Sequence, residues 1–194
     1  ATLREEVAAQ VARMEQLLSD ADAAQTNAAD RAALAARRNA LADIRAAVDA
    51  GEPFAEPLAV LQDPPAPLVE NAENGVPTLA TLQASFPDAA RRAIASARNA
   101  NPDEGGRFGN FLRNQFGTRS ITPRDGDDPD AVLSRAEAAL TSGKLDEAVT
   151  QVESLPDPAL SDMSDWLAQA RTRLSVVTAL QQVDTDASAT PAAN

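Results

Sequence analysis

Within its first fifty residues the chain places an apolar side chain every seven positions, in two runs that do not share a phase. Val7, Met14 and Ala21 form one run, with Leu3 and Leu17 beside it and Gln10 interrupting the pattern. Leu34, Leu41 and Val48 form the other, with Ile44 between. A seven-residue repeat keeps one stripe on one face of an α-helix, whereas a strand needs an alternation of two. The amino-terminal part is therefore helical, and its first run suits the tail end of a longer coiled coil lying upstream. The phase changes at residues 25–30. Either a new helix starts there, capped by Asn27 or Asp30, or one helix shifts its face.

What such helices pack with is limited by alanine. Of 194 residues, 43 are Ala, about half of the apolar set, while Phe occurs five times, Trp once and Tyr never. Alanine is the best helix former but buries little surface. The expected fold is all-α: helical hairpins and a small helical bundle following an elongated amino-terminal helix, the remnant of a coiled coil. A core this thin points to an elongated or oligomeric protein rather than a compact enzyme.

Five segments follow. Residues 1–50 are a long helix or broken helical stalk. Residues 51–104 are short helices and Pro-rich connections, residues 105–124 a cationic amphipathic segment and residues 128–183 a helical domain. Residues 184–194, made of Asp, Ala, Ser, Thr, Pro and Asn, read as a disordered tail. Gly51 and Pro53 end the stalk. Short helices are expected at 53–61 and 68–73, around the stiff Asp63-Pro64-Pro65-Ala66-Pro67. Thr78 caps a helix carrying Leu79, Leu82 and Phe86, and Pro87 opens another. Asp128 caps a helix with Pro129 at its first position and Asp130 in its first turn. Helices at 129–142 and 144–155 meet at Gly143, and a last helix spans 160–183. Its stripe is Met163, Trp166, Leu167, Ala170, Leu174, Val177 and Leu180, and the expected domain core is lined by Leu133, Leu140, Leu145, Val149, Val152, Trp166, Leu167 and Leu174. Arg171 and Arg173 are expected to pair with acids of that same domain. Residues 46–52 resemble residues 138–144, each ending one helix at Gly and opening another.

The segment 105–124 stands apart chemically. Phe108, Phe111, Leu112 and Phe116 fall at i, i+3, i+4 and i+8, one face of a helix. Residues 91–124 hold seven Arg against two acids, a local charge of +5, while the whole chain carries −12. A short cationic helix with a Phe face is either a core helix with a wet basic side or an interfacial helix on anionic lipid. On the second reading Arg107, Phe108, Phe111, Leu112, Arg113, Phe116 and Arg119 bind membrane, and the amides after Gly105-Gly106 suit a lipid phosphate.

Catalytic chemistry finds little support. The chain has no Cys and no His, and a single Lys, Lys144. That removes disulfides, thiolate sites, the commonest general base and the commonest metal ligand. The acidic turn Asp125-Gly126-Asp127-Asp128 does not follow calcium-loop spacing, since the twelfth position is Ala136. No phosphate-binding loop or dinucleotide fingerprint is present. No catalytic residue, cofactor or metal site is expected, and the acidic balance argues against nucleic acid as a partner. No apolar run approaches membrane-span length. A chain beginning at Ala is either a soluble protein that has lost Met or a fragment from downstream of an anchor.

From Asp128 onward the sequence resembles the mitofilin family. The resemblance rests on the order of its blocks: an Ala-rich helix, Ser142-Gly143-Lys144-Leu145, a second helix ending at Leu155-Pro156, then Trp166-Leu167 followed by Ala170-Arg171. Upstream, Gly51-Glu52-Pro53-Phe54 and Gly75-Val76-Pro77-Thr78-Leu79 with Phe86-Pro87 resemble bacterial members, so that roughly residues 32–183 are covered. The resemblance implies an all-α, non-enzymatic protein that shapes inner membranes, at cristae junctions or in bacterial intracytoplasmic membranes. It implies an amino-terminal transmembrane anchor absent from this chain, a periplasmic location at the inner membrane, and a lipid-binding segment at 107–119. It also implies self-association and contact with outer-membrane barrel-assembly proteins. The alternative is a helical protein-interaction adaptor whose Phe-rich helix is core or a partner-docking site.

Overall fold

The computed structural model describes residues 2–100, 126 and 128–189, and among them every regular element is an α-helix. Helix α1, Thr2–Ala50, is 49 residues long, about 74 Å at 1.5 Å per residue. It runs unbroken through residues 25–30, so neither Asn27 nor Asp30 caps a new helix. Thr26 Oγ1 donates to the Asp22 carbonyl at 2.9 Å and Asn27 Nδ2 to the Ala23 carbonyl at 2.8 Å, both folded back onto their own helix. Nothing before Gly51 stops the helix, because residues 1–50 contain neither Gly nor Pro.

Gly51 ends α1 with φ +75°. The Glu52 N–H donates to the Ala47 carbonyl at 2.8 Å, the six-to-one bond of a Schellman motif. The same stop recurs after α5, Pro129–Thr141. There Gly143 has φ +78°, the Lys144 N–H donates to the Ala139 carbonyl at 2.9 Å, and the Gly143 N–H donates to the Leu140 carbonyl at 3.1 Å. The likeness between residues 46–52 and 138–144 is thus a shared way of ending a helix. The surroundings differ. A Cβ on Gly51 would lie 2.9 Å from Thr78 Cγ2, while a Cβ on Gly143 would meet open space.

Two short helices follow, α2 (Ala55–Leu58), which packs on the end of α1, and α3 (Ala66–Asn71), which packs on α2 and on the last helix. Helix α4, Leu79–Ala100, is one helix with Pro87 inside it, not two. Thr78 caps it as expected, its Oγ1 accepting from the Thr81 N–H at 3.0 Å. Pro87 removes one donor from the helix ladder, but Phe86 and Ala89 on either side are buried in the same core and hold both halves in line. Their apolar spacing, 82, 86, 89, 93, runs straight across the proline.

Asp128 caps α5 with its Oδ1, which accepts from the N–H groups of Asp130 at 3.1 Å and Ala131 at 3.0 Å. Helix α6 is Leu145–Glu153. Beyond Pro156, the expected single helix divides into α7, Asp157–Asp162, and α8, Ser164–Ala189. Helix α8 runs past Val183, where the sequence reading ends it, to Ala189.

The apolar side chains form two cores. The first joins α4 to α5, α6, α7 and the start of α8; the second joins the end of α1 to residues 54–76 and the later half of α8. Helix α8 is the element common to both.

Candidate functional site

The expected membrane-binding residues Arg107, Phe108, Phe111, Leu112, Arg113, Phe116 and Arg119 lie outside the described residues. The expected core residues Leu133, Leu140, Leu145, Val149, Trp166 and Leu167 are buried together, and Leu174 packs half-buried against them. Trp166, 3% exposed, meets Phe86 edge to face with ring centroids 5.0 Å apart. Its indole N–H donates to the Leu82 carbonyl at 3.0 Å. Both partners come from α4, outside the segment 128–183. That segment alone does not complete the core around its tryptophan, a dependence readable in the sequence only as the apolar spacing that crosses Pro87.

The second feature is a surface. Along α1, Leu3, Val7, Val11, Met14, Leu17 and Leu18 are exposed, Leu3 by 75%, and buried residues begin only at Ala40. Val11 and Leu18 widen the stripe beyond the expected seam. Six large apolar groups near one end of a helix, clear of both cores, are more than isolated surface residues.

Arg171 and Arg173 part company. Arg171 pairs with Glu153 of α6 at 2.6 Å, within its own domain. Arg173, against expectation, leaves it. Nη1 donates to the carbonyls of Val48 at 2.9 Å and Pro77 at 3.1 Å, and Nη2 donates to Asp49 Oδ1 at 3.0 Å. The reason is position: at the level of Arg173, α8 has passed from the first core to the end of α1.

The remaining surface offers little for chemistry. A shallow depression of about 330 Å³ lies between α5 and α6, lined by Arg135, Asp146, Glu147 and Gln151. Lys144 donates to Glu147 at 2.9 Å. That hydrogen bond raises its pKa above the ordinary lysine value, the opposite of what a nucleophilic lysine needs. Among the described residues no three His, Cys, Asp or Glu stand close enough to hold a metal ion. None of the described helices is long and apolar enough to cross a membrane.

The arrangement has a counterpart in known sequences. Residues 110–188 match the profile of the Mitofilin family, described as a mitochondrial inner membrane protein. Over that stretch, 79 of the 194 residues, this chain is similar to the mitofilin family. Among its relatives are MICOS complex subunits MIC60. That of Uncinocarpus reesii is 30% identical over 120 residues, 59% of this chain. Those of Paracoccidioides brasiliensis (strain Pb03) and Talaromyces marneffei are 32% and 31% identical over the same length and share of this chain. The aligned part is 17% of the first two relatives and 18% of the third, so this chain matches a small part of proteins several times longer. No solved structure matches the chain. The mitofilin match takes in α5 to α8, but the core that these helices close includes Leu82, Phe86, Ala89 and Ala93 of α4, upstream of it.

Proposed function

We propose that this chain is the membrane-proximal working portion of a mitofilin-type scaffold, non-enzymatic, that binds and bends an inner membrane from its periplasmic side. In this reading Arg107, Phe108, Phe111, Leu112, Arg113, Phe116 and Arg119 form the lipid-binding face. Further copies of the chain associate through the apolar stripe of α1, and the helical core after Asp128 holds these parts together. Outer-membrane barrel-assembly proteins are its protein partners.

The observation that carries the reading is the Mitofilin match, which begins at residue 110, inside the cationic Phe segment that had stood out on chemistry alone. The energetics favour collective action. Burying a Phe or Leu side chain completely contributes about 1.5–3 kcal/mol, and each Arg near an anionic surface adds about 1 kcal/mol within a Debye length. Four partly inserted apolar groups, opposed by the acidic remainder of the chain, hold one copy weakly. Several copies joined along α1 hold strongly through multivalency.

Sedimentation with vesicles tests this. The chain binds anionic but not neutral vesicles, and salt weakens the binding. Phe111→Asp with Phe116→Asp abolishes binding while helicity and melting stay near wild type, and Arg107→Glu with Arg113→Glu and Arg119→Glu does the same. Unfolding of the Phe variant would make those rings core. A wild-type chain that ignores anionic vesicles at low salt would leave the adaptor reading.

A further inference from the structure

We infer that Arg173 is the clamp that fixes the direction of α1 against the mitofilin core and makes the two apolar cores one body. Along α8, Trp166 and Ala170 sit in the first core and Val176 and Leu180 in the second, with Arg173 between them. The residue is 8% exposed.

Its three hydrogen bonds reach two other places in the chain. Val48 is in the last turn of α1, whose final carbonyls lack partners inside the helix and carry the negative end of its dipole. Pro77 stands just ahead of α4. One guanidinium at 2.9–3.1 Å from these acceptors therefore ties α8 to the end of α1 and to the entry of α4. It acts as a cap supplied from 125 residues away.

Apolar burial is non-directional, and packing of Leu41, Ile44 and Val48 restricts the angle of α1 only to within about 15–20°, which this contact narrows. A planar guanidinium donates along fixed directions, and its two carbonyl acceptors and one carboxylate fit one arrangement of the three elements. Asp49 is largely exposed, with 77% of its side chain open to solvent. The buried part of the clamp is thus the arginine and the Val48 carbonyl, with the Pro77 carbonyl half-buried beside them. An exposed pair, Arg45 with Asp184 at 3.0 Å, gives a second link. The links come in opposite order along the two helices, so α1 and α8 meet in antiparallel sense. The uncovered stretch of α1 then extends toward the side on which α8 ends. This inference uses no lipid-binding residue, so it fails or holds separately from the membrane reading.

Two measurements on the full chain test it with Arg173→Met, which keeps the stem and removes the donors. Trp166 is the only Trp and there is no Tyr, so intrinsic fluorescence reports the first core, while far-ultraviolet circular dichroism reports all helices. In wild type the two denaturation curves coincide. In Arg173→Met the dichroism curve gains an earlier component and the Trp166 midpoint moves less. The chain has no Cys, so spin labels on Ala32→Cys of α1 and Thr150→Cys of α6 report one distance when diluted into unlabelled protein. Its distribution is narrow in wild type, broad in Arg173→Met and intermediate in Arg173→Lys. Coincident curves together with an unchanged narrow distribution in Arg173→Met would overturn the clamp, as would a broad distribution in wild type. If Arg173→Met does not fold, Arg173→Lys, which keeps the charge and loses the planar fork, decides: a broadened distribution supports the clamp and an unchanged one overturns it.

Discussion

Helices α1 and α8 draw on the same Ala-rich, sparsely apolar alphabet, yet one leaves its large side chains uncovered while the other buries them on both sides. Between residues 3 and 18, α1 carries six exposed large apolar groups. Helix α8 distributes its apolar residues between two cores, Met163 to Ala170 in one and Val176 to Leu180 in the other. The difference is one of partners. A stripe at helical spacing says that a face is apolar; it does not say whether the chain itself supplies the cover. For α8 the cover comes from α3, α4, α6 and the end of α1. For the outer part of α1 no described residue supplies it, and the proposed self-association does.

The contrast predicts where truncation hurts. Trp166→Ala removes the ring that α4 closes on and costs about 3–5 kcal/mol, read as a lower denaturation midpoint by circular dichroism. An unchanged midpoint would break the comparison, since α8 would then not depend on its buried face.

Within α1 the two ends should behave oppositely. Leu41→Ala, in the second core, costs about 2–5 kcal/mol. Leu17→Ala changes the stability of a dilute, unassociated chain by less than about 0.5 kcal/mol and instead lowers its association in sedimentation equilibrium. Equal losses at both sites would mean that the outer part of α1 is held by the fold.

The paired glycines refine this at smaller scale. Both adopt positive φ, which costs an L-residue about 1–2 kcal/mol. Gly143→Ala, with open space around it, should lose about that much. Gly51→Ala should lose more, because the new Cβ also presses on Thr78. Thermal melts of the two variants give the order. A small effect also belongs to Arg171→Ala, which removes an exposed ion pair with Glu153 worth about 0–1 kcal/mol.

Much of the helical layout was legible because its causes are local. The stop at Gly51, the matching stop at Gly143, the Asp128 cap and the Thr78 cap each rest on hydrogen bonds spanning a few residues, and the residues that make them are adjacent in the sequence. The unbroken course of α1 was half-legible. The phase shift at residues 25–30 is real, but a helix whose face is uncovered there has no core to keep step with, so it continues. Pro87 misled for a related reason: proline penalises the ladder, and the loss is outweighed when Phe86 and Ala89 are pinned in one core. The candidate membrane face was named from charge and spacing and lies outside the described residues.

By itself the sequence determined that this chain is helical, where most helices stop, and which face of each is apolar. Those properties follow from backbone sterics, capping groups and side-chain period within one or two turns. Tertiary structure alone decided what each face meets. Trp166 bonds a carbonyl 84 residues away, and Arg173 caps a helix 125 residues away. Contacts over such separations depend on how several helices pack at once, and no local pattern in an Ala-rich chain, where most faces look alike, encodes that choice.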